Sequence, residues 1–138
     1  LIDPKKYVIL GLRGGLYDPD DLKWAIDQGI TIISTDKFYE IGMKETIKII
    51  KDVLEDTATY FTFDIDGIDP TFAPGTGTPE VGGITVREAQ LIIRQLNSLN
   101  FIGADVVEVS PPFDVNNMTS LVGATIAFEI LCTMTKTN

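Results

Sequence analysis

Four short apolar runs with helix-forming segments between them constrain this chain more than any other feature. They are Tyr7–Leu12 (YVILGL), Ile30–Thr35 (ITIIST), Thr59–Ile65 (TYFTFDI) and Gly103–Ser110 (GADVVEVS). All are short, and β-branched and aromatic residues mark the clearest of them as buried strands. A first helix is expected from Pro19 to about Gln28, with Asp18 as its cap. In Lys44–Leu54, Ile47, Ile50 and Leu54 follow the 3.6-residue period of an amphipathic helix, with Ile49 and Val53 alongside. A third helix, Thr85–Leu99, opens on Thr85 and Glu88 at capping-box spacing. The last spans Thr119–Met134, with Leu121, Ile126, Phe128 and Leu131 expected on its buried side. Apolar strands alternating with helices demand parallel pairing and cover on both faces, so the expected fold is a three-layer α/β/α sandwich with a mainly parallel sheet. In such sheets ligands bind beyond the carboxyl ends of the strands.

One of those ends is acidic. Asp64 and Asp66 close the third run, and strand alternation would send both carboxylates to one face. Two carboxylates drawn out of water need a cation, an Arg or a shared proton. Oxygen ligands suit Mg, Ca or Mn, and the chain has no histidine to favour Zn or Ni. On spacing alone, a metal-binding pair and an ordinary polar strand end are equal readings. Asp69, before Pro70, is expected to order the loop through an Asx turn. The segment Gly67–Gly83 holds eight glycines and prolines, and a loop of that length inside a compact domain is usually functional. It lacks the Lys-Ser or Lys-Thr ending of a phosphate loop, and Glu80 would repel phosphate. Thr76 and Thr78 offer hydroxyls beside the site. Glu108 is expected on a strand covered on both sides, where a carboxylate needs a partner. Two partners are open: a structural Arg such as Arg13, or a planar cationic substrate gripped bidentately. Trp24, Tyr17 and Phe113 are read as packing residues.

A chain of 138 residues with 44% hydrophobic content can bury a core as one domain. Its net charge of −9 and pI near 4.3 disfavour nucleic acid and anionic membrane as partners and favour cations. Cys132, in the run AFEILCTM, is expected to be a buried small hydrophobe in a reducing compartment. No run reaches the roughly 18 apolar residues of a membrane span and no charged-then-apolar leader is visible, so neither a span nor a signal peptide is expected. A cytoplasmic protein is expected, with a mitochondrial location left open. Because Leu1 is not Met and an apolar run follows almost at once, the chain reads as a fragment entered in mid-domain.

The segments DIDGIDPTFAPGTGTPEVGG and DVVEVSPP resemble the ureohydrolase family of arginase, agmatinase and related guanidino-compound hydrolases, over about Tyr7 to Thr135. The wording FAPGTGTPEVGG and EVSPP looks nearer the agmatinase branch. The resemblance implies that the chain is the C-terminal portion of a single catalytic domain holding two manganese ions, with nickel as the alternative. Asp64 would bridge both ions, Asp66 would bind one, Glu108 would receive the guanidinium group, and Thr78 would lie near the substrate. A metal-bridging hydroxide would attack the guanidinium carbon to yield urea and an amine. The family's histidine ligands, its Asp-Ala-His type motif and a proton-moving histidine have no counterpart here. The isolated chain is therefore expected to bind manganese weakly and to be inactive, and a homo-oligomer is expected of the longer protein. A non-catalytic regulatory or assembly relative is the alternative.

Overall fold

A computed structural model describes residues 2–135; Leu1, whose identity supported the fragment reading, lies outside the described residues. The strands are β1 (Val8–Leu12), β2 (Thr31–Ser34), β3 (Thr59–Asp64) and β4 (Phe101–Val107), and the helices are α1 (Lys23–Asp27), α2 (Thr35–Leu54), α3 (Val86–Gln95) and α4 (Met118–Met134). Strands and helices alternate as expected. β1 pairs with β2 and β3 with β4, both in parallel. In the second pair Asp64 stands opposite Val107, so the acidic end of β3 and the segment leading to Glu108 finish at one level. The core joins Ile33, Phe38, Ile47, Ile50 and Leu54 to Ile65, Ile92, Ile93, Ile126 and Ile130. A cleft of about 650 Å³ runs between β1 and β3, lined by Val8 and Leu10 on one side and Phe61 and Phe63 on the other.

Local chemistry explains where the elements differ from expectation. α1 is only five residues long. Ahead of it, Asp21 Oδ2 accepts from the Tyr17 and Asp18 amides at 2.8 and 3.1 Å, and Asp18 Oδ1 accepts from Asp20 N at 2.8 Å. These aspartates capture amides in turns and so compete with the helix that Asp18 was expected to cap. α2 begins at Thr35, nine residues before its periodic part. Ser34 caps it by accepting from Lys37 N at 3.1 Å, and Gly42 (φ 79°) breaks it midway, which hid the first half from the period. α3 carries the expected capping box in both directions, Thr85 N to Glu88 Oε2 at 2.8 Å and Glu88 N to Thr85 Oγ1 at 3.1 Å. Such a cap is worth about 1 kcal/mol.

In α4, Ile126 alone of the four residues expected inward is buried. Val122, Ile126 and Ile130 pack inward, whereas Leu121, Phe128 and Leu131 are each about 60% exposed or more. The helix is apolar all round, so no period could choose a face; contact with β4 and α3 chose it. Cys132 lies on the outward side and is exposed, contrary to expectation. Trp24, Tyr17 and Phe113 are exposed as well and are not core residues. Two sit on or before the short α1, which buries no residue, and Phe113 sits in a turn after β4. No helix among the described residues is long and apolar enough to cross a membrane.

Candidate metal centre

β3 ends at Asp64, and the chain then turns through one 3-10 turn, Ile65–Gly67. The two carboxylates are therefore not brought together by strand alternation, as expected, but by this turn, in which Asp64 Oδ1 accepts from Asp66 N at 3.1 Å. Ile65, between them, is fully buried and anchors the turn in the core. Thr78 reaches back from the following loop and donates its hydroxyl to Asp66 Oδ2 at 2.8 Å. Asp64, Asp66 and Thr78 all line the cleft between β1 and β3.

Asp69 orders the loop, as expected. Its carboxylate accepts from the amides of Thr71 (2.9 Å), Gly82 (2.8 Å) and Gly83 (3.2 Å), tying the two ends of the loop together. These bonds, those from Thr71 foremost, hold the Asp69 carboxyl at about 2. The loop is pinned to the end of β4 by the Ser110 amide, which donates to Gly75 O at 2.8 Å, and by the pairing of Thr76 with Val109. Thr76 Oγ1 is buried there without a hydrogen-bond partner among the described residues.

Glu108 departs from expectation in two respects. It lies beyond β4, which ends at Val107, and its side chain is exposed rather than buried in the sheet. The cause is its backbone: φ is +63°, a left-handed conformation that ends the strand. Nor does Arg13 pair with it. Among the described residues, all of Arg13's hydrogen bonds go to backbone carbonyls, of Gly11, Asp66, Glu80 and Val81. Arg13 is the residue of this site whose role sequence reasoning missed. The available signal was its place, immediately after a strand and before two glycines.

Electrostatically the acid pair is uncompensated. Among the described residues neither Asp64 nor Asp66 forms an ion pair. Although Asp64 is open to the cleft, the protein around it removes enough hydration to raise its carboxyl to about 6. The negative charges of Asp66 and Glu108 add to the rise, against the opposing bond from the Asp66 amide. An all-oxygen, negatively charged pair engaged in no ion pair among the described residues fits a hard divalent ion such as Mn. No group of three or more His, Cys, Asp or Glu side chains able to hold a metal occurs among the described residues.

The raised carboxyl carries a pH dependence with a definite sign. Between its unfolded value near 4 and the folded value near 6, the folded, metal-free state binds the extra proton. Stability from this group is thus fully present below about pH 4 and is lost as pH rises through about 6. A divalent cation must displace that proton. Manganese affinity, measured by calorimetry in two buffers of different ionisation enthalpy, is expected to rise from pH 5.5 to pH 7.5 with proton release at the lower pH. Affinity independent of pH across this window would show that Asp64 is not a ligand.

Comparison with known proteins then bears on the site. The model of the arginase family matches residues 1–133. Guanidinopropionase of Pseudomonas aeruginosa is 51% identical over 132 residues, covering 96% of this chain and 42% of that protein. An agmatinase of Photorhabdus laumondii is 42% identical over 131 residues, covering 95% of this chain and 40% of that protein. Among solved structures, proclavaminate amidino hydrolase from Streptomyces clavuligerus superposes with a TM-score of 0.91 at 38% identity, over 96% of this chain and 44% of that one. The chain thus has the arginase-like α/β fold with parallel strands and spans about two-fifths of the length of these relatives.

Proposed function

Because the chain belongs to the arginase family, we propose that it forms the C-terminal portion of the single catalytic domain of a dimanganese hydrolase, which cleaves a small guanidino compound to urea and an amine. The observation that carries this reading is the uncompensated Asp64–Asp66 pair at the carboxyl end of β3, beside Thr78 and near the charge of Glu108. The relatives' names support it: guanidinopropionase, agmatinase and amidino hydrolase share substrates built on one planar cationic group.

In this reading Asp64 and Asp66 would hold the two manganese ions, with nickel as the alternative. The remaining ligands come from a part of the longer protein outside this sequence. Bound there, the ions would supply Lewis acidity and make water nucleophilic near neutral pH. Asp66 keeps its orientation through Thr78, whose hydroxyl occupies one carboxylate oxygen. Glu108, exposed at the end of β4, offers two oxygens to the two N–H groups along one edge of a guanidinium. That grip fixes the carbon to be attacked and makes the encounter close to intramolecular. In the net reaction a water oxygen adds to the guanidinium carbon and the bond to the substituted nitrogen breaks. The leaving nitrogen takes up both protons of that water, giving urea and a protonated amine.

The test is urea release by the upstream-extended protein, reconstituted separately with manganese and nickel. The panel is agmatine, guanidinobutyrate, guanidinopropionate, arginine and guanidine. Urea from one substrate is expected; silence across the panel in a folded, metal-loaded protein would move the assignment to a non-catalytic, regulatory or assembly role. The isolated chain is expected to bind manganese weakly and to release no urea, since it carries only part of the ligand shell. Substantial turnover by it alone would defeat that expectation. The extended protein is expected to sediment as a homo-oligomer.

A further inference from the structure

We propose that Arg13 is a positioning residue of the metal site: its guanidinium locks the main chain of Asp66 and of the Glu80–Val81 segment to the end of β1. By taking backbone carbonyls rather than carboxylates, it leaves Asp64 and Asp66 free for cations. The inference rests on the site reading proposed above.

The geometry is specific. Nη2 donates to Asp66 O and to Glu80 O, both at 2.6 Å, and Nε donates to Glu80 O at 3.2 Å and Val81 O at 3.3 Å. Nη1 donates to Gly11 O at 3.3 Å. The pairing of β1 with β2 slips between Leu10 and Leu12, and Gly11 there has a φ of +93°, suited to glycine. Its carbonyl accepts from the Thr35 hydroxyl as well as from Arg13. One side chain thus joins three segments that lie far apart in the chain. The segment between two of its anchors, Asp66 and Glu80, contains Thr78, which touches the Asp66 carboxylate.

An Arg close to carboxylates ordinarily forms a bidentate ion pair with them. Such a pair would occupy the oxygens a metal requires. Here the guanidinium forms no ion pair among the described residues, and its donors go to neutral oxygens instead. A planar fork of five donors can span this set, whereas a lysine ammonium is a point charge on a flexible stem.

The experiment compares the upstream-extended protein with its Arg13→Met and Arg13→Lys variants. Manganese affinity is read by calorimetry, and folding by the thermal midpoint without metal. Arg13→Met is expected to lose about 10- to 100-fold in affinity, the range seen when supports of metal ligands are removed. Arg13→Lys is expected to recover part of that loss, and for both variants kcat falls more than KM rises. If both variants fold and bind manganese within about twofold of the unsubstituted protein, the inference is overturned. Should Arg13→Met fail to fold, Arg13→Lys decides on the same criterion. If the unsubstituted protein binds no manganese, the site reading itself fails, and this inference with it.

Discussion

Asp66→Asn in the upstream-extended protein is expected to lose more than about 100-fold in manganese affinity and nearly all urea release, while the fold survives. The loss should exceed the 10- to 100-fold typical of groups that only support a ligand, because a ligand itself becomes neutral. Survival of the fold follows from what the side chain does without metal. The Asp66 carboxylate receives a hydrogen bond from Thr78, and an amide oxygen can accept the same bond. The turn itself is held by the Asp66 amide and by buried Ile65, neither of which changes. Removing one of two neighbouring negative charges also relieves Asp64, whose carboxyl should fall from about 6 toward its ordinary range. The metal-free variant should accordingly be at least as stable as its parent above pH 6. Elemental analysis and a thermal melt of the metal-free protein check both halves, and unchanged manganese occupancy would count against Asp66 as a ligand.

Gly83→Ala is expected to cost about 3 kcal/mol or more, at the upper end of overpacking penalties. A Cβ at Gly83 would stand 2.5 Å from Asp69 N, 2.8 Å from Ile68 C and 2.9 Å from Asp69 Cα. All three are backbone atoms, which cannot rotate away as a side chain can. They belong to the pairing that closes the loop, where Asp69 N donates to Ile84 O at 2.9 Å and Ile84 N to Gly67 O at 3.2 Å. A displacement there moves Gly67, the residue after Asp66, so metal affinity should fall with stability. Neighbouring Gly82 provides the control. Its added Cβ would meet nothing within 4 Å, although its φ of +77° disfavours a side chain. Gly82→Ala should therefore cost only about 1–2 kcal/mol, from conformation alone. Chemical denaturation of the two variants separates the cases, and equal midpoints would refute the steric argument.

Much of this molecule was legible without coordinates wherever one local interaction dominates. The Thr85–Glu88 capping box, the Asx turn at Asp69 and the inward set Ile47, Ile50 and Leu54 each depend on residues a few positions apart. Where local preferences balanced, sequence reasoning chose wrongly. α4 is apolar on every side, Asp18 and Asp21 could equally serve a helix or a turn, and Glu108 adopts a left-handed backbone that its neighbours in sequence do not announce.

By itself the sequence determined the alternation of parallel strands and helices, the acidic end of β3 and the resemblance to the arginase family. Periodicity, turn chemistry and motif spacing are properties of neighbouring residues. Only the tertiary structure decided which side of α4 is buried, that Asp64 and Asp66 meet through a tight turn, and that Arg13 spends its donors on backbone carbonyls rather than on Glu108. Those outcomes depend on which distant groups arrive within hydrogen-bond or van der Waals reach, and that is known only once the chain has packed.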